Sequence, residues 1–383
     1  MTSSWSKFLS ANLENTQREH RLRQRTEFSA QVCNFGSNDY LGLRHDPRLR
    51  MAAKLITEEV YWGSGASPVV GGYSSFHQAL DRELAKLSQQ ADCITFSSGF
   101  ACHLGVIACL LNEGDAILSD QLNHASLIDG CRLATRRSPQ SCIVYPHCDC
   151  NFVSNWLATQ RHRFGKVLIV TESVFSMDGD LAPLRDLADI ALRYDAGLLV
   201  DEAHATGLFG ENGGGLTEEL AISNALLLKL GTLSKALGSI GGYAAGPSEV
   251  IQYLVNHCRS YLFSTAPPAA VTAVSLAAVQ LLPKLGPERA KLRADSSQLR
   301  QDLRHMGCPV PIGDSPIIPV IVGREESALA MSQQLLLAGM YVPAIRPPTV
   351  PPGTSRLRIS LSTQHTPAQT QALVQLLGEL LGA

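Results

Sequence analysis

Apolar and polar positions fall into blocks of two different periods along this chain. Trp5, Phe8, Leu9 and Leu13 recur at helical spacing among polar residues, which predicts an opening amphipathic helix that runs out at Arg21-Leu-Arg23-Gln-Arg25. Asn34-Phe-Gly-Ser-Asn-Asp39 then has the chemistry of a turn, and it closes a short arm over residues 1–41. From residue 42 to 262, helical patterns alternate with short apolar runs at residues 93–96, 116–118, 167–170, 197–200 and 225–230. Such runs read as buried strands, and their alternation with helices predicts a mainly parallel sheet covered on both faces. Over residues 263–383 a long helical region leads into Ile317-Ile-Pro-Val-Ile-Val322 and the alternating Arg356-Leu-Arg-Ile-Ser-Leu361, the pattern of a smaller α+β domain. Its last helix has a clear start, with Thr366 as N-cap, Pro367 at the first position and Gln369 closing a capping box. The fold class is therefore α/β, a large domain with a helical arm before it and a small domain after it, without internal repeats.

Three apolar runs lead directly into polar segments: Thr171-Glu-Ser-Val-Phe-Ser-Met-Asp-Gly-Asp180, Asp201-Glu-Ala-His-Ala-Thr-Gly207 and Gly231-Thr-Leu-Ser-Lys-Ala-Leu-Gly238. Open α/β sheets bind ligands at the carboxyl ends of their strands, so these segments are the candidate site. Lys235, flanked by small residues, suits a Schiff base with an aldehyde, whereas a lone lysine is more often a solvated charge. Asp201 ends an apolar strand and needs a cationic partner there, and a pyridinium nitrogen is one. Aspartate and then lysine on successive strands, with His204 three residues beyond Asp201, suit pyridoxal phosphate as cofactor. His204 and Ser176 are placed to reach a ring hydroxyl, and His124 in Leu122-Asn-His-Ala-Ser126 offers a flat face for stacking. Ser97-Ser-Gly-Phe100 precedes a helical stretch, so the amides of Gly99 and Phe100 suit a phosphate, with Thr232 and Ser264-Thr265 as further donors.

Composition narrows the alternatives. A formal charge of −2 over 383 residues gives no basic surplus for nucleic acid or an anionic membrane. The ten cysteines sit mostly in apolar segments and read as reduced, and the opening helix lacks a signal peptide's apolar core, so a soluble cytoplasmic protein is expected. Asp201-Glu-Ala-His204 spells a helicase signature, but the phosphate loop that accompanies it is missing. Gly63-Ser-Gly65 is not completed to a dinucleotide fingerprint, because Pro68 stands where the third glycine belongs. Cys142, His147, Cys148 and Cys150 lack the paired spacing of structural zinc, and no metal is assigned.

These residues resemble the α-oxoamine synthases, pyridoxal-phosphate enzymes of the aspartate-aminotransferase fold. The resemblance runs from Ser37-Asn-Asp-Tyr-Leu-Gly-Leu43 through the three strand-end motifs to Val350-Pro-Pro-Gly-Thr-Ser-Arg-Leu-Arg358. It implies that Lys235 carries the cofactor, that Asp201 pairs with the pyridinium and that His124 stacks on the ring. His204 and Ser176 would contact the ring hydroxyl, Gly99, Phe100 and Thr232 the phosphate, and Ser264 and Thr265 the phosphate of a neighbouring subunit in a homodimer. Arg358 would hold the amino-acid carboxylate, with Arg23, Arg346 and Thr349 on the acyl side. Ile345-Arg-Pro-Pro-Thr-Val-Pro351 is most similar to members that join L-alanine to a pimeloyl thioester, carried on coenzyme A or an acyl carrier protein. Sister activities using glycine with acetyl or succinyl coenzyme A share the other motifs, and a non-catalytic cofactor-binding partner or sensor would have no use for Lys235, Asp201 and His124 together. One departure stands out: the family usually has a basic residue after the serine of the glycine-rich segment, where this chain has Pro68 and Val69.

Overall fold

A computed structural model describes residues 2–29, 31–59 and 62–382. Two compact units emerge, one of residues 39–176 and 181–290, the other of residues 2–38, 177–180 and 291–382. In chain order, the opening helix is α1 (Ser3–Arg18), followed by β1 (Cys33–Asn34), α2 (Pro47–Glu59), α3 (Ser75–Leu87), β2 (Asp92–Phe96), α4 (Gly99–Leu110), β3 (Ala116–Asp120) and α5 (Ala125–Ala134). Then come β4 (Cys142–Tyr145), β5 (Val167–Glu172), β6 (Gly197–Asp201), β7 (Leu228–Thr232), β8 (Gly242–Gly246), β9 (Ile317–Gly323), β10 (Met340–Tyr341), β11 (Ala344–Ile345) and β12 (Ser355–Ser360), with helices between most of them.

The larger unit is built on a seven-stranded sheet of order β2-β8-β7-β6-β5-β3-β4. β3 to β7 are mutually parallel, and β8 runs antiparallel to both of its neighbours, β2 and β7. The carboxyl ends of β2, β5, β6 and β7 therefore share one edge. Ile94, Ile117, Leu168, Val170, Leu199 and Leu228 from the strands pack with Val106 and Ile107 of α4 and with Leu254. Each such fully buried side chain contributes about 1.5–3 kcal/mol, enough in sum to hold the strand ends in fixed register.

The predicted runs match β2, β3, β5, β6, β9 and β12 within two residues at either end, and the capping box of Thr366 and Gln369 forms as read. β7 starts later than its apolar run, because residues 223–225 make a 3₁₀ turn. β8 has no apolar run to announce it: Gly-Tyr-Ala-Ala-Gly is small because its neighbours come close. A Cβ on Gly242 would lie 2.7 Å from the Gly99 Cα, and one on Gly231 of β7 would lie 2.4 Å from the Tyr243 ring. β4 is an edge strand whose Val144 is exposed, so its pattern is weak.

In the smaller unit β11-β12-β9 form an antiparallel sheet, and β1 pairs in parallel with β10 through Cys33–Met340 and Asn34–Tyr341. That pairing groups the arm with the C-terminal residues, whereas the sequence pattern separates them. The domain limit read between residues 262 and 263 also differs from the grouping found, since the helix Ala269–Leu281 packs on α2 and α3 of the larger unit. Residues 177–180 belong to the smaller unit: Asp178 pairs with Arg356, and Gly179, at φ +71°, has no room for a Cβ beside the Ile317 carbonyl. Among the described residues no single helix is long and apolar enough to cross a membrane.

Candidate active site

At the shared strand edge of the larger unit lies a cavity of about 300 Å³, walled by Ser98, Gly99, Phe100, His124, Asp201, His204, Thr232 and Lys235 among others. A groove of about 620 Å³ opens at the opposite edge, but its cations Lys166 and Arg161 are already paired with Asp115 and Asp195. The smaller cavity is where groups with chemistry to offer converge.

β7 and the turn after it deliver Lys235, whose Nζ lies 2.8 Å from His204 Nε2. His204 follows β6, and its Nδ1 is 2.7 Å from the hydroxyl of the fully buried Tyr40. Asp201, the last residue of β6, is 3% exposed. Its Oδ1 accepts from the Ala203 amide at 2.8 Å, and its Oδ2 stands 3.5 Å from His103 Nδ1. Burial depresses the His103 pKa, as it does that of His124. His124 is the N-cap of α5, its Nδ1 accepting from the Ser126 amide at 3.2 Å, so the neutral ring carries its hydrogen on Nε2.

α4 begins at the cavity. Ser98 is its N-cap and accepts from the Ala101 amide at 3.1 Å, while the amides of Gly99 and Phe100 precede the first intrahelical bonds. A Cβ on Gly99 would stand 3.3 Å from Thr232 Oγ1, so glycine keeps this end of the helix open. Thr232 is held in turn by the Gly241 carbonyl at 2.9 Å and Ser234 Oγ at 2.7 Å.

These walls fit pyridoxal phosphate. A helix amino terminus with hydroxyls beside it suits the phosphate, a buried carboxylate suits the pyridinium, and a lysine at the same cavity suits the aldehyde. Two buried polar atoms at the site, Glu172 Oε1 and His103 Nε2, have no hydrogen-bond partner among the described residues, as expected of walls shaped for a polar ligand.

Of the expected cofactor contacts, Ser176 is buried behind the lining, its amide donating to Glu172 Oε2 at 3.2 Å. Ser264 and the exposed Thr265 lie on the segment after the helix Arg259–Leu262, outside the cavity wall. In the smaller unit Arg23 donates to Thr349 Oγ1 at 3.3 Å, and Arg346 donates to the His20 carbonyl. Burial and then the neighbouring Arg23 charge lower the Arg346 pKa, and its Nε has no hydrogen-bond partner among the described residues. Three of the four expected substrate residues thus form one cationic cluster suited to a carboxylate. Arg358, 4% exposed, donates to Asn38 Oδ1 at 3.1 Å and Ser360 Oγ at 2.8 Å. Pro68 and Val69 form an exposed or half-exposed 3₁₀ turn.

Sequence reasoning missed His103, Ser126, Glu172 and Tyr40. His103 lies four residues after Gly99, on the same face of α4, and Glu172 sits inside a quoted motif, so spacing from the strand ends was the available signal. In the cysteine-rich segment the close grouping is Asp120, His147 and Cys148, with donor atoms within 4.8 Å of one another. Asp120 already accepts from His147 Nδ1 and the Leu122 and Cys148 amides.

The family model of aminotransferase class I and II matches residues 30–377. An 8-amino-7-oxononanoate synthase of Anaeromyxobacter dehalogenans is 43% identical over 350 residues, 91% of this chain and 86% of its own. Among solved structures, serine palmitoyltransferase from S. paucimobilis with a bound PLP–myriocin aldimine superposes with a TM-score of 0.89 at 28% identity, over 98% of this chain and 97% of that one. The 8-amino-7-oxononanoate synthase of Francisella tularensis gives a TM-score of 0.78 at 26% identity, over 92% and 99% of the two chains.

Proposed function

Because the chain belongs to the class I and II aminotransferase family, and within it to the 8-amino-7-oxononanoate synthases, we propose that its site joins L-alanine to a pimeloyl thioester. The products are 8-amino-7-oxononanoate, carbon dioxide and the free thiol, a step of biotin biosynthesis. The observation that carries the chemistry is the convergence of Lys235, His204, Asp201 and His124 on one cavity at the strand ends. The Arg23–Arg346–Thr349 cluster supports the acyl substrate, since a pimeloyl chain ends in a carboxylate and arginines pair with it in two directions.

Pyridoxal phosphate, when bound, supplies an electron sink for charge developing at the amino acid's α-carbon. Asp201 holds the ring nitrogen protonated, and the first turn of α4 with Thr232 holds the phosphate. Lys235 Nζ takes the α-proton as general base, with His204 Nε2 at 2.8 Å positioning it. His124 covers the cavity and offers its Nε2 hydrogen to a reacting oxygen. Ser176 and His204 serve the ring hydroxyl. Arg358 receives the alanine carboxylate, which leaves as carbon dioxide after the new carbon–carbon bond forms. Ser264 and Thr265, outside their own cavity, reach the phosphate of a second subunit in a cytoplasmic homodimer. The acyl carrier is coenzyme A or an acyl carrier protein.

The 43% identity to the synthase, against 28% to serine palmitoyltransferase, supports alanine and a pimeloyl thioester over the substrates of a sister enzyme. The test is thiol release by the purified protein given alanine and pimeloyl coenzyme A, run beside glycine with acetyl coenzyme A. Preference for the first pair is expected, and preference for the second would transfer the site to a sister activity.

A further inference from the structure

Glu172 also lines the cavity. It ends β5 in register with Asp201, the end of β6, and is 1% exposed. Its Oε2 accepts from the Ser176 amide at 3.2 Å, while Oε1 has no hydrogen-bond partner among the described residues. Where two carboxyls share a buried site, the charge of one opposes ionisation of the other. Asp201 has the Ala203 amide and His103 beside it, whereas burial first, and the Asp201 charge second, push the Glu172 pKa well above the carboxylate range, outweighing the Lys235 charge and the His124 and Ser176 amides, which act to lower it. Glu172 is therefore the neutral one. Since Oε2 is already an acceptor, the acid hydrogen belongs on Oε1, and the acceptor for it has to arrive with a ligand.

Which ligand atom that is follows from the order of the strands, given the proposed cofactor. On the pyridoxal phosphate ring the carbon that bears the aldehyde is flanked by the carbon bearing the phosphate arm on one side and the carbon bearing the phenolic oxygen on the other, with the nitrogen across from it. The phosphate-binding groups Gly99 and Thr232 belong to β2–α4 and β7, on one side of β6. Asp201, on β6, takes the nitrogen. The phenolic oxygen then falls on the other side, toward β5 and Glu172.

We propose that Glu172 is a cofactor-binding residue, a neutral carboxylic acid whose Oε1 hydrogen is donated to the phenolic oxygen of pyridoxal phosphate. This rests on the proposed function for the identity of the ligand, but the neutral acid itself is a property of the protein without cofactor. Infrared difference spectra of the cofactor-free protein against Glu172→Gln at neutral pH read it directly, and a protonated-acid carbonyl band lost in the variant is expected. Affinity is then titrated with pyridoxal phosphate and with its 3-deoxy analogue, which lacks the phenolic oxygen. Glu172→Gln, which keeps a neutral donor, should bind pyridoxal phosphate within about threefold of the parent, and Glu172→Leu about tenfold more weakly, a loss absent with the analogue. Absence of the acid band, or an equal loss for both ligands in Glu172→Leu, overturns the assignment. If the parent protein fails to bind pyridoxal phosphate, the proposed function fails with it, and the infrared band still decides the state of Glu172.

Discussion

Ser98→Asp separates the two jobs that the start of α4 performs. Aspartate caps a helix about as well as serine, so the bond now made by Ser98 Oγ to the Ala101 amide is retained, and the stability of the cofactor-free protein should change by less than about 0.5 kcal/mol. The same carboxylate stands where the phosphate would bind. Two like charges ~4 Å apart repel by about 4 kcal/mol at an effective dielectric constant of 20. Ser98 is half-buried, and halving the figure for solvent screening leaves about 2 kcal/mol for each unit of phosphate charge. With a phosphate charge of about −1.5 to −2, the loss is about 3–4 kcal/mol, or roughly 10²- to 10³-fold in affinity. The assay is absorbance titration of the cofactor-free protein with pyridoxal phosphate, beside urea unfolding of the same sample. Unchanged affinity would remove the phosphate from the amino end of α4. Destabilisation by more than about 2 kcal/mol would show that the cap, and not the charge, had been altered.

Lys235→Ala is expected to abolish both turnover and the absorption band of lysine-bound cofactor, while the protein stays folded; turnover retained in that variant would refute the role given to Nζ. Arg346→Ala should raise KM for pimeloyl coenzyme A by about 10- to 100-fold and leave cofactor affinity unchanged, since removing one charged partner of a carboxylate costs roughly 1.5–3 kcal/mol; steady-state kinetics at saturating alanine decide it. His365 stacks on Phe35, accepts from the Ser362 amide at 3.0 Å and lies 3.2 Å from the Asn34 carbonyl, and burial depresses its pKa to about 4. The unfolded chain takes up this proton below about pH 6.5. Stability supplied by the neutral ring is thus complete above that pH and is lost as pH falls toward 4, by about 2 kcal/mol after discounting for partial exposure. His365→Asn should flatten that part of the urea-unfolding profile between pH 6.5 and 4, and an unaltered profile would refute it.

The parts of the fold that could be read from sequence were those whose burial follows a simple period. The strands carrying Asp201 and Lys235 are covered on both faces, so their apolar runs stop where the polar chemistry starts. β8 is not legible because close approach to Gly99 and Gly231 selects small residues over apolar ones, and β1 and β10 are not because two-residue strands have no period. The site divides along the same line. Lys235, Asp201, His204 and His124 follow strand ends directly, whereas Tyr40 and His103 reach the cavity through packing that only the folded chain defines. The grouping of residues 263–290 with the larger unit depends on the contact of one helix with α2 and α3, a pairing over more than 180 positions that local pattern does not encode.

The position of β8 sets the order in which the molecule can be completed during synthesis. β2, which leads into the phosphate-binding turn of α4, is joined to the rest of the sheet only through β8, and β8 is the last strand of that sheet to leave the ribosome. Until then β2 and β7 are both open edges, and α2 and α3 wait longer still, for the helix Ala269–Leu281 that covers them. A nascent chain stalled before Gly242 carries every residue of the cavity wall, yet lacks the strand that joins β2 to β7 and so brings the two halves of the cavity together. Its unpaired strand edges leave it exposed to aggregation until β8 is in place.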